Sequence, residues 1–200
     1  MSRFLSFFRF ALRPRRASAQ AFHPRVRAAV LLLVATGVLA ACTPTYDWRT
    51  VMNNDNGYTV DLPAKPSADE RQVEIGGVSM KMLMQTAEAA DAVFVVGTVV
   101  LPDDQVQTQR AALEFLRTGL ARNLGVAPDS HATQIPLAAG GQVLGLEMTL
   151  TGKAGPQHEK RVLYARLVAK GRHVYQAAII ASQAPPEEQI DQFFQSFKLY

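Results

Sequence analysis

Cys42 is the only cysteine in 200 residues, so whatever its thiol does, it does without an internal disulfide partner. Past that position the other chemistry-bearing side chains are scattered. The three histidines His131, His158 and His173 stand far apart in sequence, without the i, i+4 or short-loop spacing of a metal site. Each reads as a solvated or structural residue. Asp103-Asp104 and Glu187-Glu188 offer paired carboxylates, the raw material of general acid–base work, but both pairs sit where a helix begins and acids complement its dipole. No serine lies in a G-x-S-x-G elbow. Gly140-Gly141 and the segment 152–155 lack the Lys and Ser or Thr that follow the glycines of a phosphate cradle, which leaves turns. No catalytic residue, cofactor or metal is expected from this inventory.

The surroundings of Cys42 are more specific. Residues 28–41 are uncharged and mostly apolar, follow seven arginines and end in small side chains, the layout of a secretory signal. Fourteen helical residues cover only about 21 Å, short of a hydrocarbon core of about 30 Å, so a spanning helix is not expected. Leu39-Ala40-Ala41-Cys42 resembles the lipobox of bacterial lipoproteins. That resemblance implies cleavage between Ala41 and Cys42, acylation of the Cys42 thiol, and a protein held in the bilayer by lipid chains. One acyl chain binds marginally and two or more hold stably, at about 0.8 kcal/mol per buried CH₂. Thr43 in place of Asp implies, by the same resemblance, the outer membrane with the protein facing the periplasm. The stretch of 27 residues before the apolar segment is long for such a leader, and Arg15-Arg16 lacks the flanks of a twin-arginine signal.

Charge agrees with removal of the leader. Seven of the 21 basic residues and none of the 17 acidic ones precede Cys42, which leaves 14 against 17 and a net charge of −3 afterwards. A nucleic-acid partner recognised by bulk positive charge is excluded, and 48% apolar residues are enough for a core.

The rest of the chain must position any site. Residues 1–41 are read as signal peptide, 42–56 as a tether in which Trp48 can cover one end of the core, and 57–200 as one domain. Strands are expected over 58–62, 72–75, 78–87 and 92–101, with Gly76-Gly77 as a hairpin turn. Residues 92–101 are apolar on both alternations, so both faces of that strand need cover, and it is expected at the sheet centre. A helix capped by Asp103 or Asp104 runs to Leu124, with Val106, Leu113, Leu116 and Leu120 at helical spacing. Strands over 142–151, 159–170 and 173–182 form an antiparallel meander, and a helix follows over 187–195 with Ile190, Phe193 and Phe194 on one side. The fold class expected is α+β, an antiparallel β-sheet sandwiched between helices.

In their order, Gly57-Tyr58-Thr59-Val60-Asp61-Leu62-Pro63, the hairpin, the helix, the meander with Gly171-Arg172-His173-Val174-Tyr175, and Phe193-Phe194-Gln195-Ser196-Phe197-Lys198-Leu199 resemble the PsbP-like superfamily, which includes DcrB-type lipoproteins. The resemblance spans residues 57–199 and implies the same α/β/α arrangement. It implies no common activity, because a fold hosts many functions.

Three functions follow as expectations. The first is a non-catalytic, lipid-anchored envelope protein that binds another envelope protein in assembly or maintenance. The second is a small-molecule binder with an apolar pocket between sheet and helix, suggested by Met80, Met82 and Met84 on one side of a strand. The third is a hydrolase assembled from distant histidines or carboxylates. Lys160, Arg161, Arg166, Lys170 and Arg172 make the second meander hairpin basic, but alternation splits them between two faces.

Overall fold

A computed structural model describes residues 44–200. Ala41, Cys42 and the segment expected as a leader lie outside them, and no helix among the described residues is long and apolar enough to cross a membrane.

Ten strands and two helices make up this part. The strands are β1 (Arg49–Asn53), β2 (Tyr58–Leu62), β3 (Ser67–Ile75), β4 (Val78–Ala89), β5 (Ala92–Val100), β6 (His131–Pro136), β7 (Gln142–Ala154), β8 (Glu159–Lys170), β9 (His173–Ala181) and β10 (Lys198–Leu199). The helices are α1 (Val106–Asn123) and α2 (Glu187–Ser196). Seven strands form an antiparallel sheet in the order β3-β4-β5-β9-β8-β7-β6, and β1-β2-β10 form a second, also antiparallel. The expected sheet sandwiched between helices is therefore incorrect. The described residues are mostly strand, and a second sheet shares one face with α2.

The reason lies in the area that needs cover. α1 closes one face of the large sheet, packing Ala112, Leu116 and Leu120 with Met80, Met82, Met84, Val95, Val99, Leu163, Leu167 and Val174. The opposite face carries Phe94, Val96, Val168, Tyr175, Ala177 and Ile179. The ten-residue α2 buries only Phe193 and Phe194, too little for that width. Tyr58, Val60 and Leu62, alternating along β2, and Leu199 from β10 supply the remainder. β5 is third of seven strands, and the centre is β9, whose residues Val174 to Ile179 are all buried.

Two boundaries also shift. The folded unit spans Pro44–Tyr200, so the segment expected as a tether over 42–56 is largely structured. Asp47 N–H donates to Pro63 O at 2.7 Å, β1 pairs with β2, and Tyr46 and Trp48 stack on each other and meet Phe94 edge-on. The N-cap of α1 is Gln105, without a side-chain cap, whereas Asp103 accepts the Gln105 N–H at 3.0 Å one step earlier.

The strands run between two ends of the domain. One end holds the entering chain at Tyr46, the turn Ala90-Asp91 and the β7–β8 hairpin; the other holds the β1–β2 turn, the β3–β4 turn and the start of β9. Nine-residue β5 sets these ends about 27 Å apart at about 3.3 Å per residue.

Candidate functional site

The sheet keeps the histidines apart. His131 lies on edge strand β6, His158 at the tip of the β7–β8 hairpin, and His173 at the opposite end, starting β9. Among the described residues, no group of three or more His, Cys, Asp or Glu stands close enough to hold a metal ion. Glu187 and Glu188 occupy the first turn of α2. Met80, Met82 and Met84 are all buried, and the Met82 methyl fills the space that a side chain at Gly97 would take, so the stripe is core beneath α1.

The basic hairpin is likewise divided. Arg161 pairs with Glu159, Lys170 donates to the Tyr200 carbonyl, and Arg172 Nε donates to Leu101 O at 2.8 Å. Arg166 lies 3.5 Å from Glu147, with its guanidinium 4.8 Å from the centre of the Phe194 ring. Glu147 is also 3.8 Å from His131. The trio His131, Glu147 and Arg166 joins three adjacent strands and helps tie α2 to the sheet through the Arg166 Nη1 bond to Phe194 O at 3.4 Å.

A second place on the molecule leaves polar atoms unpaired. At the end away from Tyr46, the turn Asn53–Tyr58 and strands β3, β4 and β5 enclose a recess of about 150 Å³. Its wall is internally bonded: Asn53 Oδ1 accepts from Asn56 N–H and Nδ2 at 3.1 Å each, and Asn53 Nδ2 donates to Tyr58 Oη at 3.3 Å. Behind it, Tyr175 Oη donates to Asn56 O at 2.8 Å. Burial pushes the Tyr58 phenol up, with the Asn53 bond opposing, and pushes Tyr175 up to about 12, helped by Tyr58.

Gln85 Oε1 and Thr98 Oγ1 are buried at this recess without a hydrogen-bond partner. A buried polar group left unpaired costs about 1–3 kcal/mol, which a visiting donor would return. Leu83, 36% exposed, lies at the recess, and Val100, 43% exposed, faces the same side two residues beyond Thr98. The site thus offers two acceptors beside an apolar lip. The inventory of histidines and carboxylates missed it. Its one visible signal was Thr98, the lone hydroxyl in the otherwise apolar run AVFVVGTVVL.

A larger hollow of about 410 Å³ lies between α1 and the β6–β7 edge, lined by Arg110, Leu113, Glu114, Ala132, Leu144 and Leu146 among others. Its lining is mostly apolar, and Leu144 is 65% exposed. Gly145 allows β7 to approach β8 here, since a Cβ would meet Leu167 O at 2.7 Å and Ile135 Cγ1 at 2.9 Å.

No family model matches the chain, and no curated protein matches it.

Proposed function

We propose that the chain is a non-catalytic, lipid-anchored envelope protein, fixed to the outer membrane through acylated Cys42, that binds another envelope protein at the recess around Gln85 and Thr98. The observation that carries the reading is the pair of buried, unpartnered oxygens at the end of the domain away from the anchor side. Size separates a protein partner from a free ligand: about 150 Å³ is below the roughly 300–1,000 Å³ of small-molecule pockets, but takes one side chain. The partner is then a protein segment that brings an N–H donor, from Lys, Arg, Asn or Gln, to the recess and lays an apolar neighbour on Leu83. Placing a photo-crosslinking residue at Leu83 in intact cells is expected to yield one adduct, lost when Gln85→Leu removes an acceptor. A set of adducts indifferent to Gln85→Leu contradicts the reading.

The hollow beside Leu144 supports a second reading, a small-molecule binder. Its volume falls in the ligand range, and it lies between sheet and helix, though away from the methionines. Native mass spectrometry of the purified protein is expected, on this reading, to show a copurified molecule that Leu144→Asp removes.

A further inference from the structure

The same end of the domain that receives the chain at Tyr46 also projects the β7–β8 hairpin. The β8–β9 ladder ends at Val162 opposite Ala181, yet β8 begins at Glu159 and pairs with β7 as far as Ala154. Three rows therefore extend past the end of β9, by about 10 Å at about 3.3 Å per residue, the first of them backed by Leu124 at the C-terminal end of α1. On one face of this projection Lys153 lies directly opposite Lys160. Both are exposed, and neither forms an ion pair with a described carboxylate. Like charges placed directly across an antiparallel pair are destabilising. Neighbouring Arg161 is held by Glu159, while Glu88 and Asp91 lie across a shallow hollow from it, on the other side of the sheet.

Chain length fixes what this projection can reach. This step rests on the proposed acylation of Cys42. Tyr46 is packed against Phe94 and Trp48, so only residues 43–45 separate Cys42 from a fixed point of the fold. Four residue steps span about 14 Å at most, at about 3.5 Å each. A leash of that length and a projection of about 10 Å are nearly equal, and a lipid headgroup layer is about 5–7 Å deep. A leash of that length allows the hairpin tip to reach the bilayer that holds an acylated Cys42.

We infer that Lys153 and Lys160 form a membrane-contact site that binds the phosphates of anionic phospholipid headgroups, so that the anchored domain stands on two points and its recess faces away from the bilayer. Phosphate relieves the repulsion between the two ammonium groups, and an anionic surface attracts each of the lysines.

The test uses the acylated protein extracted from membranes, with Gln157→Cys at the hairpin tip carrying a fluorophore, reconstituted in vesicles that contain a headgroup-labelled acceptor lipid. Energy transfer from the tip is expected to be at least twofold higher in phosphatidylglycerol-containing vesicles than in phosphatidylcholine vesicles. The excess should vanish in high salt and in Lys153→Glu/Lys160→Glu, and persist in Lys153→Arg/Lys160→Arg. Equal transfer in both lipids and all variants, in a protein of acylated mass, overturns the contact site and leaves the anchor intact. An unacylated mass removes the anchor and the contact site together.

Discussion

Tyr175 Oη reaches from the centre of the large sheet to the backbone carbonyl of Asn56, at 2.8 Å, and so ties the β1–β2 turn over the recess. Asn56 is itself buried, and Gly57 beside it adopts φ +66, where an added Cβ would come within 3.3 Å of the Tyr175 hydroxyl. The wall of the recess is thus set by a residue 119 positions away from it in sequence.

Tyr175→Phe is expected to leave the Asn56 carbonyl without its donor and to cost about 1–3 kcal/mol, measured by urea unfolding. Its effect should depend on pH. Below pH 10 the phenol is neutral in both states; above it the unfolded phenol ionises first, because the folded one is pushed up to about 12. Wild-type stability should therefore fall as pH rises from 10 to 12, and the fall should be smaller in Tyr175→Phe.

His173 responds at the other end of the scale. Burial lowers its imidazole from the ordinary 6.5, with Arg172 and Lys170 adding to the effect. The unfolded state then binds the proton first as pH drops, so stability should decline below about pH 6.5. His173→Gln should flatten that decline in thermal melts, and an unchanged acid limb would contradict it.

Gly152 sits against the C-terminal end of α1. The Leu124 carbonyl accepts the Lys153 N–H at 2.9 Å, and a Cβ on Gly152 would overlap that oxygen. Because the obstacle is backbone, Gly152→Ala is expected to cost about 1–3 kcal/mol, visible as a lowered Tm. Gly119→Ala, with open space at its Cβ, is the control and should stabilise by about 0.4–1 kcal/mol.

The β4–β5 turn holds Ala90 at φ +48 and Asp91 at φ +42. Left-handed backbone disfavours a side chain such as alanine, and Asn-Gly suits such a two-residue turn. Ala90→Asn with Asp91→Gly is expected to stabilise the domain by about 1 kcal/mol. An unchanged denaturation midpoint would contradict it.

Local punctuation made several elements readable. Gly76-Gly77, both at positive φ, turn β3 into β4, and the strand expected over 159–170 is found there unchanged. The helix after Pro185-Pro186 begins at Glu187 as its acids indicate. The Ala90-Asp91 turn has no glycine to announce it, and β6 buries only Ile135, which gives no period to read. The second sheet escaped because β10 has two residues and its partner is some 140 positions away, so its existence depends on tertiary packing. The recess was hidden for the same reason. Gln85 and Thr98 are ordinary strand residues until the β4–β5 register puts them on neighbouring strands and the Asn53–Tyr58 turn closes over them.

The anchored-protein account turns most directly on the intact mass of the protein extracted from membranes, measured beside a Cys42→Ser variant. A chain that begins at Cys42 and carries added acyl mass, with the variant neither cleaved nor acylated, is the result expected. A native chain that is unmodified at Cys42 and still joined to its leader would contradict the account.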